Sequence, residues 1–356
     1  MNLPMPFRPE TIHTILPTFS SFLTWKTLAL VLALINLKNL PLAWHLRILH
    51  HLWWNLRRKP QDPHFPKAKS NPNIKHSPKP RKIHPIFTPY SITSRTPILE
   101  TDYNFHKSNS TYFTDLDISR TALVTRLYTP GLSIVSKELD VELLSTSASP
   151  EVKGKGKGKE ANIPKTMYVA LGSVYCGFKR EIKPFVRYEV ESRVVGWDRK
   201  WLYVLSFFLG SGKGKNKGER VLFAAALGKY VVKKGRVTVL PERVLRASGF
   251  LPGRPSEESR MEGSFVDVSG VGTPAGEEGI MATAGVDGAL VREVLKIGEG
   301  EIPEERELEA EKKANVEEWD GGEWTWEMIE EERLRGLKVV QGYVDLDAKL
   351  YAEWER

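Results

Sequence analysis

One cysteine, Cys176, stands in 356 residues, so an internal disulfide is impossible. A reducing compartment is the matching environment. Marks of several enzyme classes are missing as well. There is no Gly-x-Ser-x-Gly, which removes a nucleophile-elbow hydrolase. There is no His-Glu-x-x-His and no Cys/His pair at zinc spacing, so neither a metal nor a cofactor is expected. Histidines 64, 76 and 84 lie in a Pro- and Lys-rich stretch and read as solvated linker residues. The Gly-Lys repeat at 153–159 is followed by no Ser or Thr at phosphate-loop spacing and opens no helix. Nucleic-acid motifs are absent too, so the basic charge points to a membrane surface or an anionic small molecule, not to nucleic acid.

Acid is scarce at the start of the chain. Residues 1–60 hold seven Lys and Arg against Glu10 alone. The end is the reverse: residues 301–356 hold 18 acids and 8 bases, a net of −10, which leaves +18 on residues 1–300. Within the basic start, Thr27–Leu37 carries no charge, and extension back to Ile15 gives 23 residues broken only by Lys26. That length can span a bilayer, for which ~20 residues suffice. Trp44, Trp53 and Trp54 among His and Arg suit the headgroup layer. Residues 1–59 therefore predict a membrane anchor with an interfacial segment; the alternative is a buried amphipathic helix that packs on the domain. The basic residues 57–59 place the remainder of the chain in the cytoplasm, on an endomembrane or a mitochondrion.

Residues 60–82 read as a linker. Residues 83–250 have the pattern of one α+β domain. A first strand region lies within 86–105. A helix over 109–129 puts Tyr112, Leu116, Leu123 and Leu127 on one face and stops at Pro130-Gly131. A Ser- and Gly-Lys-rich insertion at 145–165 is expected to be disordered. Four strands come next in 166–234, with a clean period of two around Tyr188, Val190 and Val194. Trp201–Leu209 is apolar on both faces and so central. Pro241 opens a short helical turn. Residues 251–320 read as largely disordered, and 321–356 as an acidic C-terminal helix whose apolar face includes Trp326, Ile329, Leu337, Val340 and Val344.

Residues 100–120 organise the rest. Asp102 and His106 lie just ahead of a helix whose entry carries Ser108, Asn109 and Ser110. A helix start offers unpaired backbone N–H groups and a partial positive charge. The run Asp-x-x-x-His-x-Ser-Asn-x-x-Tyr resembles the opening of the hotdog-fold acyl-CoA thioesterases, closest to the membrane-associated, thioesterase superfamily member six-like branch with its fungal members. Residues 166–208, with their Gly196-Trp197-Asp198 turn, resemble the strand-rich half of that branch. Two positions depart from the family pattern: Glu100 stands where an Asp is usual, and Ser108 where an Asn is usual.

The resemblance implies a hotdog fold, a long helix wrapped by an antiparallel sheet, and a homodimer. It implies acyl-CoA or an acyl lipid as the ligand. Asp102 would be the catalytic base or nucleophile, with His106, Ser108, Asn109, Ser110 and Tyr112 orienting or binding substrate. Arg180 and Lys183 could hold the CoA phosphates. The alternative is a non-catalytic hotdog module that binds acyl lipid or protein partners at a membrane. Without the resemblance, Asp102 and Asn109 read simply as helix caps.

Overall fold

The computed structural model describes residues 24–57, 83–147, 166–211, 219–251 and 325–354. Its axis is helix α3 (Asn109–Tyr128). Tyr112, Leu116, Leu123 and Leu127 are all buried, as the stripe expected for them requires. Around α3 lie β1 (Tyr90–Arg95), β2 (Met167–Phe178), β3 (Arg187–Trp197), β4 (Leu202–Ser211) and β5 (Arg220–Lys234). They form an antiparallel sheet in the order β1-β3-β4-β5-β2, and short β6 (Val237–Val239) adds to β5. This is the hotdog arrangement.

Two apolar clusters pack on α3. One gathers Tyr112, Leu116 and Ile118 with Tyr188, Val190 and Phe208. The other gathers Leu123, Leu127 and Tyr128 with Trp197, Val204 and Val232. A polar belt runs between them. Ser119 on α3 hydrogen-bonds Ser192 on β3 at 2.8 Å, and Ser192 bonds Ser206 on β4 at 2.7 Å. Buried hydroxyls that satisfy one another avoid the desolvation cost of lone ones.

Helix α4 (Gly131–Ser147) follows α3 almost at once, where sequence reading places only a stop. The Pro130 carbonyl accepts from the N–H groups of Ser133 and Ile134, so the Pro-Gly pair that ends one helix also starts the next. Gly131 is pressed against α5 (Pro241–Ala247): a Cβ there would lie 2.4 Å from the Val244 carbonyl oxygen. Helix α6 (Trp326–Trp354) crosses the outer sheet face, with Ile329 and Val340 buried and Leu337 and Val344 beside Tyr203. Gly336 makes the close approach possible, since a Cβ there would sit 1.7 Å from the Val195 carbonyl oxygen. The bulk of the insertion and tail expected to be disordered, residues 148–165 and 252–324, lies outside the described residues.

The N-terminal segment corrects one expectation. No helix among the described residues is long and apolar enough to cross a membrane. Helix α1 (Trp25–Ile35) has 11 residues and ends at the buried cap residue Asn36. The chain then turns through Leu37–Asn39 into α2 (Ala43–Asn55). Ile48, Leu52 and Asn55, at i, i+4 and i+7, are buried, and the two apolar ones join the cluster around Tyr112 and Leu116. Arg57 donates to the Ser248 carbonyl at 3.1 Å and lies over the Phe250 ring. The described part of the apolar run ends where Asn36 and Lys38 bond into the folded domain, and residues 15–23 of the expected span lie outside the described residues. His84 is a second correction. It is buried, not a solvated linker residue, and its ring accepts from the Ile86 N–H at 3.3 Å.

Candidate active site

The site is a loop joined to a helix start. From Glu100 to Ser108 the chain folds back on itself. Ser108 N–H donates to the Glu100 carbonyl at 2.7 Å, Asp102 N–H donates to the His106 carbonyl at 2.9 Å, and Thr101 bridges to Lys107. Asp102 sits inside this closure. Its Oδ1 accepts from the N–H groups of Asn104 at 2.9 Å and His106 at 3.4 Å, the pattern of an Asx turn. Among the described residues Oδ2 carries no hydrogen bond. Phe105 adopts φ 58°, a left-handed value costly for an aromatic residue, and it and Tyr103 project into solvent.

His106 does not face Asp102 with its ring. Its Nε2 lies 2.9 Å from Glu181 on the β2–β3 connection, and the Lys107 N–H donates to the Ile182 carbonyl at 2.8 Å. Those contacts lock the two loops together. Arg180 and Lys183 flank Glu181 and are exposed on the same connection. Glu181 itself is missed by sequence reading, because no local spacing ties it to His106.

At the start of α3, Ser108 occupies the cap position without a side-chain cap bond. Its hydroxyl instead meets that of Ser110 at 3.1 Å, and its carbonyl receives the Thr111 N–H at 3.0 Å. The first-turn amides of Asn109 and Ser110 are thus left without a side-chain cap, and both residues are exposed. Tyr112, one turn in, is buried with its ring edge-on to Phe178 and Phe208. Burial, then the charges of Cys176, Asp102 and Glu181, pushes its hydroxyl well above the usual tyrosine range, so it stays protonated.

Beneath the loop lies a buried ionic cluster. Lys38 Nζ reaches Glu100 at 2.9 Å and Asp115 at 2.8 Å. Lys107 Nζ reaches the same two carboxylates at 2.6 and 3.1 Å, and Arg47 reaches Asp115 at 3.3 Å. Tyr188 and Ser94 hydroxyls donate to Asp115 at 2.5 and 3.1 Å. Burial alone would raise the Asp115 carboxyl, but Lys38, Lys107 and Arg47 outweigh it and hold the group well below the usual carboxylate range.

A match to the family described as the Thioesterase-like superfamily covers residues 96–247. A thioesterase of Purpureocillium lilacinum, lcsJ, is 35% identical over 342 residues, 92% of each chain. The chain belongs to this thioesterase-like family. A probable thioesterase of Emericella nidulans, atnL, is 35% identical over 264 residues, 68% of the thioesterase-like chain and 79% of its own. Among solved structures, a 4-hydroxybenzoyl CoA thioesterase from Pseudomonas sp. strain CBS-3 aligns with 44% of the thioesterase-like chain and 96% of its own. That match has 13% identity and a TM-score of 0.30, a level that bears no weight.

Of the site residues expected from sequence, Asp102, Ser108, Asn109, Ser110 and Tyr112 fall on the loop and first helical turn. His106 is drawn aside to Glu181. The cluster residues Lys38, Arg47, Lys107 and Asp115 are missed as site support. The one available signal is an Asp at 115 directly before Leu116 of the predicted apolar stripe, and the structure buries both.

Proposed function

We propose that the chain hydrolyses an acyl-CoA thioester at a membrane surface, with Asp102 as the base or nucleophile. The observation that supports this best is that the loop carrying Asp102 closes, through the Ser108 N–H on the Glu100 carbonyl, directly onto the uncapped first turn of α3. Thioester hydrolysis needs an activated oxygen nucleophile and a place for negative charge to develop. As base, Asp102 takes a proton from water through Oδ2, and the water oxygen bonds to the thioester carbonyl carbon. The C–S bond then breaks, and the sulfur leaves as a thiolate that takes up the proton from Asp102. The amides of Asn109 and Ser110, with the helix dipole behind them, stabilise the carbonyl oxygen as it gains charge. Arg180 and Lys183 are candidates for the CoA phosphates.

The membrane half of the proposal rests on surface. Helix α1 buries none of its residues: Trp25, Leu28, Leu30 and Val31 all face outward. On α2, Leu46, Trp53 and Trp54 do the same, opposite the face packed on α3. Apolar faces with tryptophan and basic neighbours suit a helix pair lying in the headgroup region on the cytoplasmic side, without crossing it. A second copy would pair along β2, whose outer edge has no strand beside it among the described residues.

The non-catalytic reading has its own support. Oδ1 of Asp102 is spent on the backbone of its own loop, as a purely structural aspartate would be. Turnover of the purified full chain against acyl-CoAs of graded length separates the two. Hydrolysis of at least one is expected. Binding of acyl lipid with no hydrolysis of any would favour the module. Co-sedimentation with anionic vesicles, lost in Leu28→Glu/Val31→Glu, tests the membrane half, and light scattering at micromolar concentration tests the dimer.

A further inference from the structure

The proposed site has two halves that must hold a fixed relation: the loop that carries Asp102 and the first turn of α3 that carries the amides. Glu100 stands at the base of the loop and Asp115 on the second turn of the helix. Lys38 Nζ contacts both, at 2.9 and 2.8 Å, and also the Tyr188 hydroxyl at 3.3 Å. It comes from 62 residues before Glu100 and 77 before Asp115. Two residues earlier, the Asn36 side-chain oxygen accepts the Leu99 N–H at 2.8 Å, at the loop's entrance. Lys107 also bridges Glu100 and Asp115, but it is part of the loop itself, whereas Lys38 ties both carboxylates to the separate N-terminal segment.

We propose that Lys38 is a positioning residue for Asp102: the segment at 36–38, through Asn36 and Lys38, clamps loop 98–108 against the start of α3. This rests on the hydrolase reading for its kinetic consequence and on geometry alone for the clamp. Among the described residues neither side chain bonds Asp102, Asn109 or Ser110; their partners are Glu100, Asp115, Tyr188 and the backbone of Leu32, Arg95 and Leu99. Their loss therefore acts on orientation, where small displacements of reacting groups cost heavily.

The cluster holds three cations, Lys38, Lys107 and Arg47, against Glu100 and Asp115. Lys38→Met leaves two against two, so no buried charge loses its counterpart and the fold is retained. In the full chain, Lys38→Met should lower kcat for acyl-CoA hydrolysis ~10–100-fold with KM unchanged within about twofold. Combined with Asp102→Asn it should cost nothing further, because a misplaced carboxylate and a missing one are equivalent. Amide hydrogen exchange should rise in 98–108 and stay as in the wild type across β4. Asn36→Ala, which removes the Leu99 partner along with the bond from its amide to the Leu32 carbonyl at the end of α1, should show the same changes at smaller size, and it decides the matter if Lys38→Met does not fold. Unchanged exchange in 98–108, or a kcat loss fully additive with Asp102→Asn, overturns the proposal. A wild type that hydrolyses no acyl-CoA defeats the hydrolase reading alone, and exchange still decides the clamp.

Discussion

Asp115 and Asp117 sit two residues apart on α3, both buried, and the protein treats them in opposite ways. Asp115 faces Lys38, Lys107 and Arg47 and accepts two hydroxyls. Asp117 has one cation, Arg120, at 2.9 Å. Burial pushes Asp117 up to about 6 against the pull of Arg120, while Asp115 is held well below the usual range. The difference is one of partners, not of burial. A buried carboxylate stays charged when enough positive and hydrogen-bonding groups replace its water, and one guanidinium is not enough.

Removing the better-supported acid should cost most. Asp115→Asn strands Lys38, Lys107 and Arg47 against Glu100 alone, and stability measured by urea unfolding should fall by ~3–5 kcal/mol. A loss below about 1 kcal/mol would mean that the cluster is far wetter than its geometry.

Asp117 sharpens the contrast through pH. Its folded value is raised, so the native state holds its proton more tightly than the unfolded chain. Its contribution is full below about pH 4 and is lost as pH rises through about 6, on the order of 3 kcal/mol in all. His51 and His84, lowered by burial to about 4 and about 3, work the other way and cost stability as pH falls below 6.5. The quantity to measure is therefore the difference in melting temperature between wild type and Asp117→Asn from pH 4 to 7. The wild type should lose ground to the variant as pH rises. A flat difference would place Asp117 among ordinary carboxylates.

The smallest effect belongs to the hydroxyls. Tyr188→Phe takes away the hydrogen bond to the charged Asp115 and the longer one received from Lys38, and should cost ~1.5–3 kcal/mol. The same change at Tyr128, whose hydroxyl has no hydrogen-bond partner among the described residues, should cost nothing comparable.

What is legible in sequence tracks the range of each interaction. The α3 stripe and β3 show because they repeat at 3.6 and 2 residues, and β4 shows as a short run apolar on both faces. Asp102 and the α3 entry show because they are neighbours in the chain. Lys38 reads only as one more basic residue at the end of an apolar run, since its partners lie 62 and 77 residues away and leave no local trace. Helix α4 is hidden by Pro130-Gly131, which reads as an end in either direction. The outward apolar residues of α1 are visible as composition, but composition cannot say that Asn36 turns the chain back into the domain.

The central claim is that Asp102 does chemistry, and Asp102→Asn tests it most directly. The amide keeps Oδ1 for the Asn104 and His106 N–H groups, so the loop and the melting temperature should hold. Turnover of the best acyl-CoA should fall ~10²–10⁴-fold, the usual worth of a general base. Equal turnover by wild type and variant would contradict the account.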